Sequence, residues 1–104
     1  MKLRELLSGV SVLACTADME MEISGVSYDS RSVRPGDLFV AMTGFAVDGH
    51  KFIAAAQEKG AAAALCQKEP EGTLPYVRTE DSRRALAIVG ALLHTLVYGI
   101  GDFD

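Results

Sequence analysis

Three consecutive residues, Asp29-Ser30-Arg31, place a carboxylate, a hydroxyl and a guanidinium side by side where the chain is expected to turn. A hydroxyl both donates and accepts hydrogen bonds, so Ser30 is suited to hold a polar ligand. The same residues could instead only close a turn, because Asp and Ser side chains readily hydrogen-bond to nearby backbone groups. Both interpretations predict an irregular segment at the end of a strand.

A second segment that could contact a ligand is a short apolar run between residue pairs that break regular structure. It consists of Phe45, Ala46 and Val47. An apolar surface there could cover a flat ligand, while backbone N–H and C=O groups of the loop read its polar edge. The alternative is a surface loop with Phe45 folded inward. For Asp48-Gly49-His50, which follows, we favour a structural role, in which Asp48 caps a helix and Gly49 permits close backbone approach.

Composition limits the classes of function. The chain has 104 residues, enough for one domain, and a net charge of −4 with a pI near 5.1 argues against nucleic acid as a partner. Cys15 and Cys66 stand apart without metal-ligand spacing, so we expect two reduced thiols. The longest apolar stretch, residues 85–100, is too short and interrupted for a membrane span, and no secretory signal is recognisable.

Hydrophobic spacing predicts the elements that position these segments. Residues 2–7 have helical spacing, residues 19–23 alternate as a half-buried strand that continues through 25–28, and residues 38–42 form a strand buried on both faces. A helix is expected over 50–59 with Gly60 as its stop, then strands over 61–66 and 74–79. A last helix, capped by Asp81 or Ser82, has an apolar face recurring through Leu86, Val89, Leu93 and Val97.

The predicted order is therefore helix, strand, strand, helix, strand, strand, helix. Strands that alternate with helices indicate an α/β layer structure with at least part of the sheet parallel. Ligands of open α/β sheets bind beyond strand ends, where this order places Ser30 and the loop at residues 45–47.

Several motifs together resemble the N-terminal domain of the Mur ligases, the cytoplasmic enzymes that build the peptidoglycan stem peptide. They are DSR, GDLFVA, DGHKFI and a helix that ends in GAAAAL. The opening MKLRELL and the closing DSRRALAIVGALL resemble the member that adds the third amino acid. The resemblance implies a small three-layer-type α/β domain with a mixed sheet over residues 1–98, and a tail over 99–104. The central ATPase domain and the C-terminal domain would be absent.

By this resemblance the domain binds the UDP moiety of UDP-MurNAc-L-Ala-D-Glu. Ser30 would contact the ligand, where its hydroxyl suits a uracil edge or a phosphate oxygen, and Tyr28 would line the uridine site unless it is an ordinary strand tyrosine. Phe45, Ala46 and Val47 would cover the uracil. ATP and Mg²⁺ would serve the parent ligase only, since no phosphate loop, acidic metal pair or activated nucleophile is visible in this sequence, which predicts that the fragment alone is inactive.

Two alternatives remain open at this point. The dipeptide-adding Mur ligase shares the DSR and GDLFVA motifs, and a noncatalytic interaction module would use the same motifs only to build the sheet. The sequence does not choose between lysine and meso-diaminopimelate as the third amino acid. The tail HTLVYGIGDFD departs from the family pattern, so we expect exposed apolar surface on the last helix and weak self-association of the fragment.

Overall fold

The computed structural model describes residues 1–42, 49–92 and 97–98, and their strands form one six-stranded sheet. The order across the sheet is β1-β5-β4-β3-β2-β6. Strand β1 pairs antiparallel with β5, and each remaining neighbouring pair is parallel. The strands are β1 (Val12–Cys15), β2 (Gly25–Ser27), β3 (Asp37–Val40), β4 (Ala63–Cys66), β5 (Tyr76–Thr79) and β6 (Val97–Tyr98).

Helices cover both faces of this sheet. The helices α1 (Leu3–Leu6) and α3 (Ser82–Leu92) lie on one face, and α2 (Ile53–Glu58) lies on the other, where it packs against a 3₁₀ turn at Ser30–Ser32. A second 3₁₀ turn, Gly49–Phe52, leads directly into α2. The arrangement confirms the three-layer α/β architecture with a mixed sheet that the sequence predicts.

Strand β3 is the centre of the domain. All four of its residues are buried, and their side chains alternate between the two faces as a strand requires. Leu38 and Val40 join the apolar core under α1 and α3, whereas Phe39 joins the core under α2. The prediction that this strand is buried on both faces is confirmed.

The predicted strand over residues 19–23 is wrong. Met19 and Glu20 lie in a turn held by Asp18, whose carboxylate accepts a hydrogen bond from Glu20 N at 2.9 Å. The carbonyls of Met19 and Met21 accept hydrogen bonds from the N-terminal turn of α1 rather than from a sheet neighbour. Alternation alone could not separate a strand from an extended segment that pairs with a helix end.

Strand β1 was missed because its residues are mostly exposed and carry no alternating pattern. Val12 and Leu13 are among the exposed large apolar side chains, and the strand exists through its backbone pairing with β5. Pairing across more than 60 residues of sequence is a tertiary effect that a local pattern does not report.

The end of the last helix was also predicted wrongly. Helix α3 stops at Leu92, and Val97, which the helical periodicity included, lies in β6 beside Val26 of β2. The predicted cap is confirmed, since the Asp81 carboxylate accepts hydrogen bonds from the N–H groups of Arg83 and Arg84 at 3.0 and 3.2 Å. No helix among the described residues has the length and apolarity that crossing a bilayer would require.

The predicted start of α2 at residue 50 is three residues early, because Gly49–Phe52 form the 3₁₀ turn and Phe52 is the N-cap. Asp48, the predicted cap, lies outside the described residues. The stop at Gly60 is confirmed: its φ of +98° is a conformation that glycine adopts readily, and a Cβ there would lie 2.9 Å from Pro35 Cα.

Candidate functional site

The sheet topology marks one crevice as a candidate ligand position. From β2 the chain moves to β3, β4 and β5 in one direction, and then returns to place β6 on the opposite side of β2. The strand order therefore reverses at β2, and open α/β sheets bind ligands beyond the carboxyl ends of the strands at such a point. Tyr28, Asp29 and Ser30 follow the carboxyl end of β2 directly.

The turn after β2 is built by two side chains. The buried Ser27 hydroxyl donates to Asp29 O at 2.8 Å and accepts from Asp29 N at 3.2 Å. The Asp29 carboxylate in turn accepts from Arg31 N at 2.9 Å, which starts the 3₁₀ turn. The turn-closing interpretation of Asp29 is thus confirmed. Ser27 was missed by sequence reasoning, although its place one residue before Tyr28 on an apolar strand could have indicated it.

Arg31 is held by Asp29 rather than directed toward a ligand. Its guanidinium donates to both carboxylate oxygens, from Nε at 3.0 Å and from an Nη at 2.9 Å. These hydrogen bonds from Arg31 lower the pKa of the Asp29 carboxyl below its ordinary value of 3.8. Because the Arg31 side chain is 86% exposed, the pair adds little stability and mainly fixes the shape of the turn.

Ser30 and Tyr28, the two described residues predicted to bind ligand, are both half-buried at this edge. Within the described ranges the Ser30 hydroxyl has no hydrogen-bond partner, so it remains available to one. Tyr28 packs against the apolar core under α1 and α3, which agrees with the interpretation of Tyr28 as an ordinary strand tyrosine. The sequence predictions for Phe45, Ala46 and Val47 concern positions outside the described residues.

The two residues that flank positions 43–48 are in close contact. Gly49 N donates a hydrogen bond to Met42 O at 2.6 Å, and a Cβ on Gly49 would lie 2.6 Å from both the N and the O of Met42. A side chain does not fit at that distance, which supports the structural role predicted for Gly49.

A hydrogen-bond network that the sequence did not predict joins the 3₁₀ turn at Gly49–Phe52 to the carboxyl end of β4 and to the start of α3. His50 Nε2 accepts from the backbone N–H groups of Gln67 at 2.9 Å and Lys68 at 3.3 Å. Gln67 Oε1 accepts from Ser82 N at 2.9 Å, at the start of α3. The carboxyl end of β4 is thereby tied both to the start of the second 3₁₀ turn and to α3.

Two shallow clefts lie elsewhere on the domain, and neither includes Tyr28 or Ser30. One, of about 390 Å³, lies between the start of β1, the end of β5 and α3, and its lining includes Ser11, Asp81 and Arg84. The other, of about 300 Å³, lies beside the second 3₁₀ turn and includes His50, Lys51 and Lys68. The candidate ligand position follows from the sheet topology and from the half-buried Ser30 rather than from cleft volume.

Neither cleft supplies a metal site, since no group of three or more His, Cys, Asp or Glu side chains converges among the residues that the structure describes. The two cysteines differ: Cys15 is exposed, whereas burial raises the pKa of the Cys66 thiol to about 11.

Asp37 is fully buried at the amino end of β3, on the side of the sheet opposite the carboxyl ends of the parallel strands. One carboxylate oxygen accepts from Arg34 N at 2.9 Å, and the other has no partner among the described residues. Burial raises the pKa of this carboxyl above its ordinary 3.8, against the opposing effect of the Arg34 hydrogen bond. Its position at the amino end of β3 places it away from the candidate ligand edge, so its effect is expected on stability rather than on binding.

We expect Asp37→Asn to raise the free energy of unfolding at pH 7 by about 1 kcal/mol. Because the pKa of Asp37 is higher in the folded state than in the unfolded state, protonation of this carboxyl stabilises the fold. This stabilisation is complete below pH 3.8 and is lost as the pH rises through the pKa of the folded state. At neutral pH the carboxylate therefore costs stability, which a neutral amide avoids. Urea unfolding from pH 7 to pH 4 measures the difference, which should shrink on acidification. Glu58→Gln, at an exposed position of α2, is the control. A less stable Asp37→Asn at pH 7 would show that the buried carboxylate does not cost stability.

Fold and edge geometry together define an open three-layer α/β domain with a candidate ligand position at the carboxyl end of β2. A family model described as "Mur ligase family, catalytic domain" matches residues 22–92, which run from before β2 to the end of α3. The chain therefore belongs to the Mur ligase family.

Curated relatives and solved structures agree with this assignment. The chain is 44% identical over 94 residues to a UDP-N-acetylmuramoyl-L-alanyl-D-glutamate–2,6-diaminopimelate ligase of Chlorobium phaeobacteroides, and 40% identical over 89 residues to the ligase of the same name from Listeria monocytogenes. These matches cover 85% and 86% of the chain but only 18% of either relative. The fold is similar to that of MurF from Acinetobacter baumannii, with a TM-score of 0.74 and 25% identity over 86% of this chain and 20% of that one.

Proposed function

We propose that this chain is the substrate-holding N-terminal domain of a Mur ligase, over residues 1–98, and that it binds the UDP moiety of UDP-MurNAc-L-Ala-D-Glu. The parent ligase would use ATP and Mg²⁺ on other domains to join the third stem-peptide amino acid to the substrate in the cytoplasm. Holding the remote UDP end restricts the motion of the reacting carboxylate, which is how binding far from the chemistry contributes to rate.

The observation that carries this proposal is the Ser30 hydroxyl at the switch point. It is half-buried, lacks a partner within the described ranges and follows a strand whose turn is fixed by Ser27 and Asp29. A preorganised hydroxyl of this kind suits a uracil edge or a phosphate oxygen. Tyr28 contributes apolar surface beside it, and residues 45–47 complete the site in this proposal. The activity named for both relatives, ligation of 2,6-diaminopimelate, favours that amino acid as the third.

A second candidate is the ligase that adds the terminal dipeptide. It is favoured by the solved structures: besides the Acinetobacter protein, a MurF ligase from Thermotoga maritima in complex with ADP has a TM-score of 0.58 and 33% identity over 64% of this chain and 16% of that one. The first candidate has the stronger support, because identity to the diaminopimelate ligases reaches 44% over 85% of the chain, against 25% over 86% and 33% over 64% for the two MurF structures. Testing the parent enzyme with diaminopimelate and with D-alanyl-D-alanine, each beside its matching UDP-MurNAc-peptide, separates the two.

The proposal is tested by titrating the 104-residue chain with UDP, UMP and ADP while following backbone amide shifts by NMR. We expect UDP to move the amides of residues 28–31 selectively, and ADP to leave them in place. A few hydrogen bonds of about 1 kcal/mol each and one stacking contact give affinity in the millimolar range for the isolated domain. If several millimolar UDP leaves residues 28–31 unmoved, this chain does not bind the nucleotide by itself and the proposal fails.

Ser30→Ala is expected to weaken UDP binding about fivefold, which is the loss of one hydrogen bond of about 1 kcal/mol. The matched control is Ser32→Ala, in the same 3₁₀ turn and also half-buried. Both variants should keep the melting temperature of the parent chain within a few degrees, since neither hydroxyl supports the core. Equal affinities for UDP in the two variants would remove Ser30 from the site.

A further inference from the structure

We propose that His50 is a positioning residue for the ligand edge: its imidazole holds the segment that enters α2 against the carboxyl end of β4. The inference rests on the proposed function, because the edge that His50 supports is the one assigned above to UDP. His50 itself is given no contact with the ligand.

The geometry requires His50 to act as a hydrogen-bond acceptor. Nε2 lies 2.9 Å from Gln67 N and 3.3 Å from Lys68 N, and both partners are backbone N–H groups that can only donate. A ring nitrogen that accepts carries no proton, so the proton of the neutral imidazole is on Nδ1. The structure therefore specifies one tautomer of His50.

The His50 contact connects the 3₁₀ turn at Gly49–Phe52 to the residues that directly follow β4. One residue before His50, Gly49 N donates to Met42 O at 2.6 Å, and this bond closes the base of the crossover from β3. Beyond His50, Gln67 O accepts from Arg78 Nε at 3.4 Å, and Gln67 Oε1 accepts from Ser82 N at 2.9 Å. His50 is thus the member of this set that joins the β3 crossover to β4, β5 and α3.

Packing does not explain the choice of histidine. His50 is half-buried and borders the cleft shared with Lys51, Lys68 and Glu69, whereas the apolar contacts of this segment come from Ile53 and Ala56. Two adjacent backbone N–H groups that leave a strand end need an acceptor, and the imidazole supplies one without adding charge.

Three substitutions of His50 distinguish the loss of the hydrogen-bond acceptor from a change in side-chain size. Gln places its Oε1 the same number of bonds from Cα as His Nε2, Asn places its Oδ1 one bond short, and Leu has no acceptor. We expect amide hydrogen exchange at Gly49 and Gln67 to be roughly tenfold faster in His50→Leu and His50→Asn than in the parent chain. His50→Gln should stay within about twofold of the parent, because the acceptor is restored.

The same variants are titrated with UDP. The dissociation constant should rise roughly tenfold in His50→Leu and stay within about twofold in His50→Gln. Long-range ¹H–¹⁵N correlation of the ring in the parent chain should place the proton on Nδ1. These three readouts together support a positioning role, because a histidine that only filled space would be replaced by Leu at least as well as by Gln.

A proton on Nε2, or exchange and UDP affinity that change no more in His50→Leu than in His50→Gln, would overturn the inference. If the proposed function is wrong, the result is distinguishable, because the parent chain itself would not bind UDP. In that case the exchange and tautomer measurements, which need no ligand, still decide whether His50 holds the two segments together.

Discussion

Gly49→Ala is expected to destabilise the domain by about 3 kcal/mol and to abolish measurable UDP binding. A Cβ at this position would lie 2.6 Å from both the N and the O of Met42, and neither backbone atom can rotate away as a side chain can. Relief requires the 3₁₀ turn at Gly49–Phe52 to move away from β3, which breaks the Gly49 N to Met42 O hydrogen bond. That movement would also pull His50 from Gln67, so stability and the ligand edge should fail together.

Urea unfolding of the parent chain and the variant measures this loss, and the UDP titration measures the effect on binding. Gly9→Ala is the matched control, since its Cβ would meet only the Ile88 side chain at 3.2 Å. A flexible side chain can shift by a few tenths of an ångström, so this variant should cost less than about 1 kcal/mol. Equal losses for the two alanines would show that the Gly49–Met42 approach is looser than described.

Phe39→Ala should lower the free energy of unfolding by about 3 to 5 kcal/mol. Phe39 is 1% exposed at the centre of β3 and packs in the core under α2 with neighbours that include Ile53 and Ala56. Its removal leaves a cavity among small residues on fixed strands and a short helix, where collapse is limited. If the total stability of the domain is near the lower end of the usual range, about 5 kcal/mol, a loss of this size leaves a substantial unfolded fraction at about 37 °C.

A second phenylalanine provides the control for this experiment. Phe52 is 37% exposed, and Lys51 Nζ lies 5.5 Å from the centroid of its ring. Phe52→Ala should therefore lower the free energy of unfolding by less than about 1 kcal/mol. Chemical denaturation of both variants under the same conditions gives the comparison. A loss for Phe39→Ala no greater than that for Phe52→Ala would mean that β3 is not the centre of the core.

How far the sequence predicted the site depends on how local each interaction is. The Asp29 turn and the Asp81 cap were predicted, because each side chain bonds to a backbone N–H two or three residues away. The His50 contact was not, since Gln67 lies 17 residues further along the chain. Ser30 was predicted from its motif and its place after a strand. The reversal of strand order at β2, which makes this strand end the candidate ligand position, depends instead on where β6 inserts.

The amino-acid sequence alone predicted the layered α/β class, the buried strand β3, the helix stop at Gly60 and the cap at Asp81. It also contains the family motifs around Ser30. These features depend on hydrophobic period, on glycine and proline, and on side chains that bond to their own neighbourhood. The folded domain was needed to establish that Val12–Cys15 and Val97–Tyr98 are strands, that residues 19–23 are not, and that His50 meets β4. Each of these depends on backbone groups far apart in sequence, and short segments with ambiguous periodicity adopt whichever structure satisfies those groups in the folded domain.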